Sequence, residues 1–586
     1  MPIHKIKLLD EDTINKIAAG EVIERPASAV KELVENAIDA GASRISVEVE
    51  DGGKSLIRVT DDGCGMDRED LPLAFQKHAT SKIRDAGDLE NIHTLGFRGE
   101  ALASIASVSR SVEVRTRPRG SISGTYLRME NGRVVETKDT GCAEGTSITV
   151  WDLFYNVPAR RKHLKGQEAE LVYITIAVTE IAIINYTIAF DLFSGKRLLF
   201  KSVKSANWED VLLRILGLKT LKALTPLQAE GRGWHLVGAA GDPLSTRSSS
   251  DRIFIFVNGR PVVSKALSSA LRDSYRNIIP LGKSPVAVLS LEISPELVDV
   301  NVHPAKREIR LLREEEITAA LGRAVENALM VQAKEEIEPE HIPGREFAPP
   351  KATITPSHEQ RTLPLEIGNE AEYAVSCAVS GPPVSPVSES AAQDEARNVR
   401  IVGQILDLYI VAESEQGLML IDQHAAAERI RFERLREKYR HRNIKQELAV
   451  PIALELSPSE LIMMESWQET LSDIGFDIAP FGGNTVSVRS VPALGRRLEN
   501  PDAVHDILRD LFSRGKVSPA STNREDILKL LACKGSIKSG KKLSMTEMQK
   551  ILDDLFRCQN PLTCPHGRPV MIVMDQGHLE RLFARR

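Results

Sequence analysis

The sequence predicts a multidomain protein of α/β and α+β architecture, with two folded regions joined by a flexible linker. Three observations predict it. A length of 586 residues exceeds what one core holds and calls for about three domains. A hydrophobic content of 42% with 27% charged residues is that of a soluble globular chain. From about Lys334 to Asn398 proline, serine and acidic residues dominate and no helical or strand period persists. That stretch buries too little apolar surface to offset its ordering entropy, so it reads as a tether.

The elements follow in order. In ASAVKELVENAIDAGAS, Ala27 to Ser43, the residues Val30, Leu33, Val34, Ala37 and Ile38 recur at helical spacing, with Pro26 suited to the start and Gly41 to the stop. Glu32, Asn36 and Asp39 line up on the other face. A solvated face would look the same. RISVEVE alternates as a half-buried strand, Asp51-Gly-Gly-Lys is a turn and SLIRVT returns. The hairpin ends in Asp61-Asp62-Gly63-Cys64-Gly65-Met66, where glycines beside a carboxylate let a ligand approach the backbone. HATSKI and then Gly96-Phe-Arg-Gly-Glu-Ala-Leu102 follow, the latter a glycine-bracketed loop opening a helix whose N-terminus suits phosphate. Leu171 to Phe190 is apolar but interrupted by Glu180 and Asn185, so a buried helix and a strand are expected rather than a membrane span.

Taken in this order, ENAIDAGA, DDGCGM, ATSK, GFRGEAL and Gly145-Thr146 resemble the motifs of the gyrase, histidine kinase and MutL type of ATPase. AAGEVIERPASAVKELVENAIDAGA together with LFYNVPARRK narrows the resemblance to the MutL family of mismatch-repair proteins. It implies a Bergerat-type α/β sandwich over residues 1–206. It further implies that Glu32 is the general base, that Asn36 holds Mg²⁺ and that Asp61 accepts a hydrogen bond from the adenine amino group of ATP. Asp39, Gly63, Gly65 and Thr146 would complete the nucleotide site. Thr80, Ser81 and Lys82, with Gly96, Phe97, Arg98, Gly99, Glu100, Ala101 and Leu102, would form the lid. Phosphoryl transfer needs positioning, charge neutralisation and an oriented water, and a base and a metal ligand one helical turn apart serve that.

Residues 207–332 contain RIFIFVNGRPV and LVDVNVHPAKREIRL, both strands running into turns. By resemblance this is a ribosomal-S5-like α/β domain whose Lys306 reaches the γ-phosphate, although an exposed lysine reads identically. Beyond the linker (333–398), Val402 to Val411 and GLMLI read as paired strands turning at Glu415-Gln-Gly. The following helix sets His424 and Glu428 on one face, with Asp422 near its start. A capped surface helix is the plain account. Cys533 and Cys564-Pro-His566 lie far along the chain, and a Cys-x-His pair in a Pro/Gly-rich loop suits zinc, whereas carboxylates favour Mn²⁺ or Mg²⁺. Asp422, His424, Glu428, Glu433, Cys533, Cys564 and His566 form a candidate set for one or two ions. Ser544-Met-Thr-Glu547 is a capping box.

DQHAAAERIRFE, the ACK at Cys533 and CPHGRP resemble the nicking members of the same family. That resemblance implies an α+β dimerisation and endonuclease domain over 399–586, with Asp422 and Glu428 catalytic and both Mn²⁺ and Zn²⁺ bound. The GSIKSG after Cys533 departs from the family's alanine-rich version. The resemblance also implies DNA, the mismatch-recognition protein MutS and a second copy of the chain as partners. Gln446 to Pro451 is similar to the family's sliding-clamp segment, or is a strand entry stopped by proline. A net charge of −5 excludes an overall basic coat but not a local groove, and Arg115–Arg119 and Arg160–Lys165 are candidate patches or solvated surface. The absence of a long apolar stretch at the N-terminus and only 6 cysteines fit a reducing cytoplasm. The resemblance implies that the protein is nucleoid-associated in a prokaryote. A non-catalytic ATP-driven clamp and a topoisomerase ATPase subunit are the rival readings.

Overall fold

The computed structural model of the chain describes residues 22–82, 99–243, 252–276, 278–279, 284–299, 309–335, 399–441, 445–493, 501–514, 524–534 and 542–583. Helix α1 (Pro26–Asp39) begins on a proline and buries Ala27, Val30, Leu33, Val34 and Ala37. It stops where Gly41 adopts a positive φ and the Ala42 N–H returns to the Ala37 carbonyl. Strands β1 (Arg44–Glu50) and β2 (Leu56–Asp61) form the expected hairpin, in register Ile45 to Asp61. Further strands are β3 (Ser109–Arg117), β4 (Gly124–Glu130), β5 (Arg133–Thr140), β6 (Gly145–Leu153), β7 (Ala189–Ser194) and β8 (Arg197–Ser202). They join the hairpin in an 8-stranded sheet of order β5-β4-β3-β6-β2-β1-β7-β8. Helices α1, α2 (Ala101–Val108) and α3 (Gln167–Ile184) pack on it. The Leu171 to Phe190 run is thus the buried helix α3 entering strand β7. Among the described residues no helix is long and apolar enough to cross a membrane.

Next come β9 (Leu224–Gly231), β10 (Trp234–Gly241), β11 (Ile253–Val257), β12 (Arg260–Pro261) and β13 (Ala287–Ile293), which form a 5-stranded sheet of order β12-β11-β13-β10-β9. Its helices α4 (Lys265–Ser274) and α5 (Glu314–Glu335) supply Leu267, Leu271, Ile317, Leu321 and Val325 to a second apolar core. Strand β11 is apolar throughout because both of its faces are buried. Ile255 and Val257 face that second core, while Phe254 and Phe256 enter the core of the 8-stranded sheet.

The compact units do not follow the linear order of the chain. Described residues within Met1–Gln332, Ala427–Lys538 and Cys564–Arg568 form one unit, and those within Ala333–Ala426, Ser539–Thr563 and Pro569–Arg586 form the other. The first unit includes β17 (Lys445–Glu455), β18 (Asp477–Gly482) and β19 (Thr485–Pro492), ordered β17-β19-β18. The second holds β14 (Arg400–Ile405), β15 (Tyr409–Ser414), β16 (Gly417–Asp422) and β20 (Met571–Asp575), antiparallel in the order β14-β15-β16-β20. The stretch from Val402 to Val411 is therefore two strands. Leu406 and Asp407 both take positive φ in a turn that needs no glycine, which the sequence pattern concealed. Pro451 is likewise no stop. Strand β17 is an edge strand, its pairing with β19 lapses between Glu447 and Ile452, and the proline sits in that irregularity where no ladder donor is required.

Helix α6 (Gln423–His441) follows β16 directly, and helix α7 (Pro458–Ser466) opens on a complete capping box of Ser457 and Glu460. Helices α8 (Pro501–Arg514) and α9 (Arg524–Lys534) join α7 and the three-stranded sheet around Trp467. Helix α10 (Met545–Phe556) opens on the predicted Ser544–Glu547 capping box, and α11 (Gln576–Leu582) ends the described chain.

Candidate functional site

A cavity of about 1800 Å³ opens beside α1. That helix turns Glu32, Asn36 and Asp39 into it, because the opposite face is held by the apolar core. The carboxylate of Asp61 lies on its floor, at the end of β2, and accepts a hydrogen bond from the Gly63 N–H at 2.8 Å. Burial pushes the Asp61 carboxyl up to about 6, although backbone N–H groups of Gly63 and Thr146 pull against the shift. Gly63 itself serves from behind the wall. Gly65, at φ 73°, needs its missing side chain, because a Cβ there would stand 2.3 Å from the Arg117 carbonyl oxygen. Thr146 pairs with Asp61 across β2 and β6 and shares a 3.0 Å hydroxyl contact with Thr116.

The segment Thr80–Lys82 and the turn Gly99–Leu102 form another wall. The His78 N–H donates to the Gly99 carbonyl at 3.1 Å. Gly99, at φ 62°, lets the two strands of this wall touch, since a Cβ would stand 2.5 Å from the Ala79 carbonyl oxygen. Helix α2 starts here and points its N-terminal end at the cavity. The Lys82 Nζ donates to Asn36 Oδ1 at 2.9 Å and to Asp39 Oδ2 at 2.5 Å. Gly96, Phe97, Arg98 and Lys306 lie outside the described residues.

Some residues in and beside the lining were given no role at the site from the sequence. Arg25 stacks on the Tyr173 ring at 4.0 Å, and Lys165 Nζ donates to the Tyr173 hydroxyl at 2.7 Å. Burial raises that hydroxyl's pKa, but Lys165 and Arg25 outweigh it and bring it below the usual tyrosine range. Lys265 and Arg272 reach the cavity from α4. Arg25 falls within the family-like stretch before α1 and Lys165 within the Arg160–Lys165 basic patch, whereas Tyr173, Lys265 and Arg272 carry no signal.

The C-terminal candidates divide. The Asp422 Oδ1 accepts from the N–H groups of His424 at 2.8 Å and Ala425 at 3.0 Å, so it caps α6. Further along α6, Glu428 lies with Cys564 and His566, one ligand atom of each within 4.8 Å of the others. The Cys-x-His pair is made by a tight turn. Gly567, at φ 83°, donates to the Cys564 carbonyl at 2.9 Å, and the Cys564 N–H donates to the Arg568 carbonyl at 2.8 Å. Glu428 and Cys564 are buried and His566 is exposed. Carboxylate, thiolate and imidazole are a donor set that fits zinc held by three protein ligands. Glu433 lies 3.6 Å from Arg429 on the same helix. Cys533 falls in α9, and its side chain lies outside the described residues.

A half-buried acceptor at a strand end, a helix bearing an acid and an amide one turn apart, and a wall closed up at Gly99 are the arrangement expected of an ATPase of the gyrase type. The family described as histidine kinase-, DNA gyrase B-, and HSP90-like ATPase matches residues 23–144. The C-terminal domain of DNA mismatch repair proteins matches 212–330, and the MutL C-terminal dimerisation domain matches 402–543. The chain is 52% identical over 582 residues to the DNA mismatch repair protein MutL of Methanothrix thermoacetophila, covering 99% of this chain and 100% of that one. It is 38% identical over 600 residues to the MutL of Methanoculleus marisnigri (99% and 100% covered) and 37% identical over 615 residues to that of Thermoanaerobacter pseudethanolicus (100% of both). The chain belongs to the MutL family of DNA mismatch repair proteins.

Proposed function

We propose that the chain is an ATP-gated DNA clamp whose C-terminal region, 399–586, nicks one DNA strand with the help of bound metal ions. The ATPase region would be 1–206 and the second domain 207–332, with 333–398 as their tether to the C-terminal region. In the cavity Glu32 would take the proton of the attacking water, Asn36 would hold Mg²⁺ and Asp61 would accept from the adenine amino group. Thr80–Lys82 and Gly96–Leu102 would close over the phosphates, and Lys306 would reach them from the second domain. A bound Mg²⁺ supplies charge neutralisation for the departing phosphates.

The observation that carries the nuclease half is the meeting of Glu428, on α6, with Cys564 and His566, from a loop far along the chain. A zinc-bearing C-terminal region that leaves cutting to other proteins would need the cluster but not Asp422 or an additional Mn²⁺. Nicking of supercoiled plasmid with Mn²⁺ separates the two. The parent is expected to produce open circles, whereas Asp422→Asn and Glu428→Lys are expected to lose that activity while keeping ATP turnover. If both variants stay folded and cut as the parent does, the clamp reading stands instead.

A second copy of the chain is the partner best supported. The matched family is a dimerisation domain, and the sheet β14-β15-β16-β20 with its flanking residues leaves Val402, Leu406 and Phe583 61%, 77% and 75% exposed. Dimerisation there would keep the ATPase regions at high effective concentration for closure around DNA. The stretch Gln446–Pro451 lies on edge strand β17 with Val450 77% exposed, which suits capture by a sliding clamp. MutS and a cytoplasmic, nucleoid-associated location complete the reading.

A further inference from the structure

Helix α7 belongs by sequence to the C-terminal region, yet it packs along α3 of the ATPase region. Its Ile462 is 4% exposed and belongs to the same apolar core as α1, α3 and the 8-stranded sheet. The Glu460 Oε2 accepts from Arg252 Nη2 at 2.8 Å, with side chains 7% and 4% exposed. The same oxygen accepts from the Ser457 N–H at 2.8 Å, so α7's own capping box holds the carboxylate in place for the arginine. At the far end of the helix Glu465 pairs with Arg197 at the surface. An ion pair this buried is a specific contact, because either charge left alone would be heavily penalised.

The two elements that α7 grips are walls of the nucleotide cavity. Arg252 immediately precedes β11, whose Ile253 to Phe256 line that cavity, and α3 carries Tyr173, Ile176 and Glu180 to it. At about 1800 Å³ the cavity is wider than the roughly 300–1,000 Å³ of a ligand-sized pocket. A nucleotide that draws these walls together would change the spacing of α3 and β11. A helix fixed to both, by packing on α3 and by the Arg252–Glu460 pair, would resist that change.

We propose that α7 is a clasp that holds the nucleotide cavity open, so that nucleotide closure and docking of the C-terminal region oppose each other. Coupling of this kind is reciprocal: whatever factor nucleotide takes from docking, undocking returns to nucleotide affinity. The inference rests on the cavity's being the ATP site. It names the chain's own C-terminal region as the regulator of that site.

The test uses the full chain, a fluorescent ATP analogue with Mg²⁺ and small-angle scattering. Glu460→Arg and Arg252→Glu are each expected to bind the analogue about fivefold or more tightly than the parent, and to show a larger radius of gyration. The double exchange, Arg252→Glu with Glu460→Arg, is expected to return both readings toward the parent. Glu460→Gln, a milder change, is expected to shift both in the same direction by less. Single variants that bind no tighter than the parent, that keep its radius, or that the double exchange fails to restore would each overturn the clasp. A parent that binds no analogue at all would instead fault the assignment of the ATP site.

Discussion

The nucleotide cavity and the Glu428–Cys564–His566 cluster assemble by different routes. In the cavity, Glu32, Asn36 and Asp39 share one helix, Asp61 ends the hairpin after it, and Gly65 follows on. Short connections carry the geometry, and backbone constraints at Gly65 and Gly99 fix it. The cluster instead depends on one helix meeting a turn from the other end of the C-terminal region. Cys564 and His566 share one turn but Glu428 does not, so the surrounding fold must bring helix and turn together. A site of the first kind leaves an ordered series of motifs in the sequence, whereas one of the second kind leaves separate motifs, here DQHAAAERIRFE and CPHGRP, whose meeting shows only in three dimensions.

The sharpest way to break this contrast is at α1. If the helix supplies the base as well as the shape of the cavity, Glu32→Ala retains ATP binding while turnover falls by about 10²–10⁴-fold. Binding followed with a fluorescent analogue and phosphate release in a single turnover separate the two steps. Turnover equal to the parent's would remove Glu32 from the chemistry and leave α1 as scaffold alone.

At the cluster the corresponding change is in metal retention. Cys564→Ala and His566→Ala each remove one of three converging donors, and each is expected to weaken zinc binding about a hundredfold, read by competition with a chromogenic chelator. ATP turnover is expected to stay at the parent's level, because these residues neither line the cavity nor belong to α7. Unchanged zinc affinity in both variants would mean that the three side chains are neighbours without being ligands.

What could be read in advance follows the same division. The apolar stripe of α1, the β1–β2 hairpin and the capping box at Ser544 are local patterns, and each forms where its residues called for it. The turn at Leu406 and Asp407 is hidden because neither residue advertises a positive φ, and that Pro451 continues a strand instead of stopping it is hidden because edge position is a property of the sheet. Phe254 and Phe256 gave no sign that they would serve a different core from Ile255 and Val257. Arg25 on Tyr173, and Arg252 on Glu460, are pairings between surfaces remote in sequence, which no periodicity encodes. The carboxylate of Asp61 was legible as a ligand group, but its raised pKa was not, since burial is set by everything packed around it.

That raised pKa gives the smallest of the expected effects. Asp61 titrates at about 6 instead of 3.8, chiefly because burial penalises its charged form. As an acceptor for an adenine amino group it is stronger when ionised, so affinity for an ATP analogue is expected to fall as pH drops below about 6, by at most tenfold per unit. Stability moves the other way. The folded state holds this proton more tightly than the unfolded one, so between the two values the group's contribution to stability grows as pH falls and is lost as pH rises. A decline in affinity over that window therefore reports on the site and not on unfolding by this group. Titrations of the parent and Asp61→Asn from pH 5 to 8 check it, the variant being expected to bind more weakly at neutral pH and to lose most of the pH dependence. A parent whose affinity stays flat across that range would show that the Asp61 carboxylate does not receive the base.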